Sequence, residues 1–235
     1  MNIIEWFISE LVIEHIPPRT MVIKAIVLDL DMTLVNTLPK FLNILRECAL
    51  KYGRSLNNDI NQLLSIYYRD PSLSEVLGDL SRNFWFWHEC WTLYSIRRDY
   101  GEVFPGILDS MKVLRSMNKR LVIATGRELE CSRIVDELRY YGFTEFIEDC
   151  VSLGDLGPGH DKLDLVKRVL DILRLPPNVV AYVTDHPRDI LLVNGLGTIN
   201  IGGVATWTRD FPTKLVIKSV AELPRLIAVL DGASD

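Results

Sequence analysis

No stretch of this chain approaches the ~20 apolar residues that a membrane-crossing helix needs. No cluster of lysine and arginine stands out either. There are 26 basic residues against 31 acidic ones, a formal net charge of -5. A mildly acidic chain lacks the electrostatic footprint of a dedicated nucleic-acid binder and the polybasic segment of an anionic-membrane binder. Nucleic acid and membrane are therefore set aside as partners. Cysteine is scarce: Cys48, Cys90, Cys131 and Cys150 stand apart, with no CxxC pair. That spacing argues against a zinc site or a disulfide framework and points to a reducing cytoplasm. Low-complexity tracts and internal repeats are missing too. With 48% hydrophobic and 24% charged residues, the composition excludes disordered and collagen-like classes.

What is present fits about one and a half domains at roughly 150 residues per domain. The first segment, MNIIEWFISELVIEHIPP, places Ile3, Ile4, Phe7, Ile8, Leu11 and Val12 at helical spacing and ends at Pro17 and Pro18. It reads as an amphipathic helix over residues 1–20, packed on its own domain or on a second copy of the chain. Its polar face carries Glu5, Glu10 and Glu14, the wrong sign for a membrane surface or a secretory leader. A homodimer through this helix is the assembly it suggests. Met21, directly before an apolar strand, would also serve as a first residue.

From Met21 the pattern changes. MVIKAIVLDL, RLVIAT, VVAYVTD and GTINIGG read as strands, with FIEDCVSL a weaker one. Helical segments separate them. Such alternation implies an α/β fold, a Rossmann-like parallel sheet with helices on both faces and a ligand site at the carboxyl ends of its strands. Residues 36–103 interrupt the alternation with helical patterns alone. A stretch of that length is no bare loop, so it is an inserted helical subdomain, and residues 21–35 with 104–235 form the core. Within the insertion, Phe84, Trp87 and Trp91 fall at helical spacing and are expected to pack in its core or against the α/β core, an aromatic wall for a substrate ring being the alternative.

The chemistry gathers where strands end. Asp29 and Asp31 leave the first strand two residues apart, on one side of an extended backbone. RLVIAT ends in Thr125, followed by Gly126 and Arg127, a hydroxyl and a permissive backbone opening a helix, suited to phosphate oxygens. VVAYVTD ends in Asp185, with Asp189 four residues on, oxygen ligands for a hard divalent cation. Lys162 starts a helix. Together these supply what phosphoryl transfer needs: a carboxylate nucleophile, a cation site, and a hydroxyl, an amide and an ammonium to neutralise the equatorial oxygens.

With those residues in that order, the chain from Met21 onward resembles the haloacid-dehalogenase (HAD) superfamily through its motifs DLDMT, TGR, Lys162 and TDHPRD. The resemblance implies a Mg²⁺-dependent phosphatase acting on a small phosphorylated metabolite. It implies Asp29 as the nucleophile that becomes an aspartyl-phosphate, and Asp31 as the acid and then the base. Thr125 and the Gly126 amide would cradle the phosphoryl group, with Arg127 touching substrate. Lys162 would steady the charge. Asp185 and Asp189 would hold Mg²⁺ together with Asp29 and the Asp31 carbonyl. Residues 36–103 would be the family's helical cap. Met32 and Thr184 stand where many members carry glycine. The second aspartate favours ester hydrolysis over dehalogenation, because an alkoxide must be protonated to leave and a halide need not be. A phosphomutase or phosphotransferase shares these motifs, and a non-catalytic scaffold is the remaining alternative.

Overall fold

The computed structural model describes residues 22–70, 72–203 and 210–232. The helix expected over residues 1–20 lies outside them. The described chain divides into two compact units, one ending at Leu34 and resuming at Val103, the other spanning Val35–Glu102.

The first unit is built on a six-stranded parallel sheet. Its strands are β1 (Ala25–Leu28), β4 (Arg120–Thr125), β5 (Asp149–Ser152), β6 (Val180–Thr184), β7 (Ile199–Gly203) and β8 (Val216–Ile217). Their spatial order is β5-β4-β1-β6-β7-β8. The short strands β2 (Val35–Asn36) and β3 (Glu102–Val103) pair separately. All four residues of β1 are buried, as a central strand covered on both faces must be. Leu28 pairs with Ile123 on one side and with Val183 on the other. The three strands that carry the sequence motifs are therefore neighbours and end at one level. The order of strands also reverses at β1, where open α/β sheets bind their ligands.

Helices cover the sheet as the apolar spacing dictates. Leu165, Val166, Val169 and Leu173 of the helix Lys162–Leu173 pack with Ala25, Val27, Val122 and Tyr182. The helix Ile107–Ser116 lies against β4 and against the last helix, Leu223–Leu230. At the end of the sheet away from the motifs, the buried Lys119 ammonium donates to the Ile23 carbonyl at 2.7 Å and to the Asp231 carboxylate. Asp231 also accepts from the Ile23 amide at 2.7 Å. This ties the starts of β1 and β4 to the end of the last helix.

One cysteine expectation is overturned. Cys131, the first residue of the helix Cys131–Tyr140, is bonded to Cys150 of β5. The two are 19 residues apart in sequence. They meet because β4 and β5 are parallel neighbours, with Ile123 opposite Cys150. Spacing alone does not reveal such a pairing. The reducing-cytoplasm reading leaned on unpaired cysteines, and this bridge withdraws that support. Cys48 and Cys90 remain thiols, both buried.

The second unit is helical. Its elements are Leu38–Lys51, Ile60–Arg69, Ser74–Leu77 and Phe84–Ile96, with a 3₁₀ turn at Gly78–Arg82. Asp59 and Gln62 form a reciprocal capping box, and Asn83 caps the last helix. The core of this unit includes Ile44, Leu45, Cys48, Leu77, Phe86, Cys90 and Tyr94. Of Phe84, Trp87 and Trp91, only Trp87 packs against this core. Phe84 and Trp91 are exposed, Trp87 packs partly buried, and Phe86, Cys90 and Tyr94 turn inward. The segment FWFWHECWTLY is apolar on nearly every side, so its spacing does not single out one face.

Among the described residues no helix is long and apolar enough to cross a membrane.

Candidate active site

Asp29 is the first residue beyond β1 and is buried, at 6% exposure. Its Oδ1 accepts from the Lys162 ammonium at 2.6 Å. Burial pushes the Asp29 carboxyl up to about 6 against the pull of Lys162, and the nearby Asp189 charge adds to the rise. For Lys162, burial disfavours the charge, but Asp29, Tyr182 and Asp189 outweigh it and hold the ammonium raised well above its usual range. The pair is thus a buried carboxylate and a firmly protonated lysine.

Asp185, the first residue beyond β6, is also buried. Between it and Asp29 stands Thr33, whose hydroxyl lies 3.1 Å from Asp185 Oδ1 and 3.5 Å from Asp29 Oδ2. The same oxygen accepts from the Asp185 amide at 3.0 Å. Thr33 closes the DxDxT motif, but the motif does not say what its hydroxyl touches. Its role becomes visible only when β1 and β6 lie side by side. Met32, one residue earlier, sits at φ +60°. A bulky residue thus occupies the left-handed turn where glycine carries no steric penalty.

Thr125 ends β4 fully buried, and its hydroxyl accepts from the Arg127 amide at 3.3 Å and lies 3.4 Å from Asp31 Oδ2. Gly126 lets Lys162 pass closely, since a Cβ there would meet the lysine Cε at 3.2 Å. The Arg127 guanidinium is gripped by two carboxylates. It donates to Asp31 at 2.9 and 2.8 Å and to Glu137 at 2.6 and 3.0 Å. Sequence reasoning passes over Glu137. The available signal is an acidic residue on the inward spacing Cys131, Ile134, Leu138, Tyr141.

Asp189 is placed beside Lys162, 3.5 Å from its ammonium, and accepts from the Tyr182 and Thr184 hydroxyls at 3.3 Å each. The threonine found in place of glycine therefore anchors Asp189 through its hydroxyl. His186 caps the helix Pro187–Val193, its Nδ1 accepting from the Arg188 amide.

The residues present fit a magnesium ion in its usual sparse manner. Mg²⁺ takes one or two protein carboxylates and leaves its other positions to water and substrate phosphate. Asp29 and Asp185, two buried carboxylates flanking one hydroxyl, offer that. Among the described residues no three His, Cys, Asp or Glu side chains gather as a metal cage.

The fold and this arrangement define a class: a parallel α/β enzyme core with paired aspartates, a lysine and a hydroxyl at the carboxyl ends of adjacent strands. The family model of haloacid dehalogenase-like hydrolases matches residues 26–198, and the chain belongs to that family. Solved structures share the fold. One, from Lactobacillus delbrueckii subsp. bulgaricus, is assigned as a phosphoglycolate phosphatase. It is 16% identical with a TM-score of 0.73 over 88% of this chain and 99% of that one. A second phosphoglycolate phosphatase assignment, from Lactobacillus plantarum, is 21% identical with a TM-score of 0.67 over 88% and 100%. A third, from Thermotoga maritima, is assigned as a beta-phosphoglucomutase and is 18% identical, with a TM-score of 0.61 over 88% and 100%. None of the curated proteins matches the chain.

Proposed function

We propose that the protein hydrolyses a small phosphate monoester through an aspartyl-phosphate on Asp29, with Mg²⁺ as cofactor. The observation that carries this reading is the buried Asp29–Lys162 pair set beside Asp185 through Thr33.

In the first step an Asp29 oxygen attacks phosphorus, the ester P–O bond breaks, and the leaving oxygen takes a proton from Asp31. In the second, water attacks the phosphorus, Asp31 takes its proton, and the acyl–phosphate P–O bond breaks to release inorganic phosphate and restore Asp29. Thr125 and the Gly126 amide hold the equatorial oxygens, and Lys162 offsets the charge gathering there. Asp29, Asp185 and the Asp31 carbonyl would hold the Mg²⁺, which when bound supplies Lewis-acid neutralisation of the phosphoryl oxygens. Asp189 acts by keeping Lys162 in place. Residues 36–103 serve as a lid that excludes water and selects the substrate.

The test is turnover of p-nitrophenyl phosphate with Mg²⁺ and with EDTA. Activity should vanish in EDTA and in Asp29→Asn; equal rates in both buffers, or a fully active Asp29→Asn, would overturn the reading. A phosphotransferase reading draws support from the likeness to a protein assigned as a phosphoglucomutase. It predicts that an added sugar phosphate captures the phosphoryl group faster than water does.

A further inference from the structure

Arg127 follows the phosphate cradle, where an arginine invites a substrate contact. Its surroundings point elsewhere. The side chain is 9% exposed and lies between Asp31 and Glu137, both through paired contacts. A guanidinium gripped by two carboxylates has its charge compensated, which leaves little of it for a phosphate dianion. Glu137 is itself buried, at 6% exposure, on a helix whose other inward residues are apolar. An ionised side chain is placed there at a cost that only pairing and hydrogen bonding offset. It has both: Arg127 on one side and the Tyr141 hydroxyl, which donates to Oε1 at 2.7 Å.

The loop beneath is fastened as well. The Gly154 amide donates to the Arg127 carbonyl at 3.0 Å. A Cβ on Gly154 would fall 2.3 Å from the Leu129 carbonyl carbon, so the backbones touch there. The Asp155 carboxylate accepts from the Cys131 amide at 3.2 Å. Backbone and side chain thus converge to hold a planar fork at a set place and angle. At the far side of that fork is Asp31, the only member of the row that is appreciably exposed, at 30% for its side chain.

We propose that Glu137, fixed by Tyr141, is a positioning residue that acts through Arg127 to aim the Asp31 carboxyl at the leaving-group oxygen. Arg127 is then a positioning residue too, and not a substrate anchor. The inference rests on the reading of Asp31 as proton donor. It adds the device that sets where the donor points. A fork held by two bonds to each neighbour fixes distance and plane together, which a single ammonium does not.

The test compares two esters of similar shape under first-order conditions, where kcat/KM reports the steps up to P–O cleavage. p-Nitrophenolate leaves without a proton; phenolate from phenyl phosphate needs one. In Glu137→Gln, kcat/KM for phenyl phosphate should fall by about tenfold or more while that for p-nitrophenyl phosphate changes far less. Tyr141→Phe, a milder change, should move the ratio the same way by a few-fold and keeps the test available if Glu137→Gln does not fold. Arg127→Lys, which keeps the charge but not the fork, should move the ratio the same way, and an unchanged ratio there would count against the proposal. Equal loss on both esters, or no loss on either in a folded variant, overturns the proposal. Asp31→Asn is the control. If it does not discriminate between the esters, the proton-donor reading of Asp31 fails first. If Asp31→Asn discriminates and the Glu137 and Tyr141 variants do not, the positioning proposal alone fails.

Discussion

The Asp29 carboxyl is buried against its own charge. Its titration is pushed from 3.8 to about 6, mainly by burial. Between those values the folded protein keeps a proton that the unfolded chain has lost. Metal-free stability therefore declines as pH rises through that window, by at most about 1.4 kcal/mol per unit, and this group adds no further change above it. Urea unfolding in EDTA at several pH values should show the decline, and Asp29→Asn should flatten it. A flat wild-type profile would contradict the burial argument. Met32 is the other residue under local tension. Its left-handed backbone costs roughly 1 kcal/mol relative to glycine, offset in part by the entropy glycine loses on folding. Met32→Gly should therefore leave the unfolding midpoint nearly unchanged, whereas Met32→Val, with a branched Cβ at positive φ, should lower it. At this scale the sequence is legible where chemistry concentrates: Asp29, Asp31, Thr125 and Lys162 all stand at the ends of adjacent strands or facing them. Thr33 and Glu137 are not, because their parts depend on a neighbour more than a hundred residues away or on which face of a helix turns inward.

The elements owe their places to two fasteners far from the motif-bearing strand ends or beside them. The Cys131–Cys150 bridge links the helix that starts after the cradle loop to edge strand β5. Closing a loop of 19 residues is worth roughly 3 kcal/mol by chain entropy. Cys131→Ser combined with Cys150→Ser, or a thiol reductant on the wild type, should lower the unfolding free energy by about that amount, read from urea melts with and without reductant. At the opposite end of the sheet, the pair of buried Lys119 and partly buried Asp231 joins β1, β4 and the last helix. Lys119→Ala leaves the largely shielded Asp231 carboxylate with the Ile23 amide but no cation and should cost about 3 kcal/mol, while p-nitrophenyl phosphate turnover by the protein that remains folded stays near wild type. Strand and helix alternation is readable because period-two and period-3.6 patterns differ sharply in this chain. The disulfide is not, since it follows from the adjacency of β4 and β5, which no spacing of cysteines records. The helix Phe84–Ile96 misleads for the opposite reason: with apolar side chains all around it, spacing offers several equivalent faces.

For the whole molecule, the division of labour is one of architecture. The α/β unit holds every charged participant of the proposed reaction, and the helical unit of residues 35–102 has a core of its own. The parallel sheet brings three distant stretches, around residues 29, 125 and 185, to one edge, which is why short motifs spread over the chain can act as one site. Substrate selection by the helical unit, assembly through residues 1–20 and a cytoplasmic setting remain expectations of the sequence. Deleting residues 1–20 should lower the oligomeric state in sedimentation without abolishing hydrolysis.

The most direct measurement is chemical trapping. The protein is mixed with p-nitrophenyl phosphate and Mg²⁺, quenched in acid during turnover, digested and weighed by mass spectrometry. The peptide containing Asp29 should carry the mass of one phosphoryl group, lost on treatment with hydroxylamine and absent in Asp29→Asn. Steady hydrolysis with that peptide always unmodified, or a phosphoryl group residing on another residue, would contradict the account.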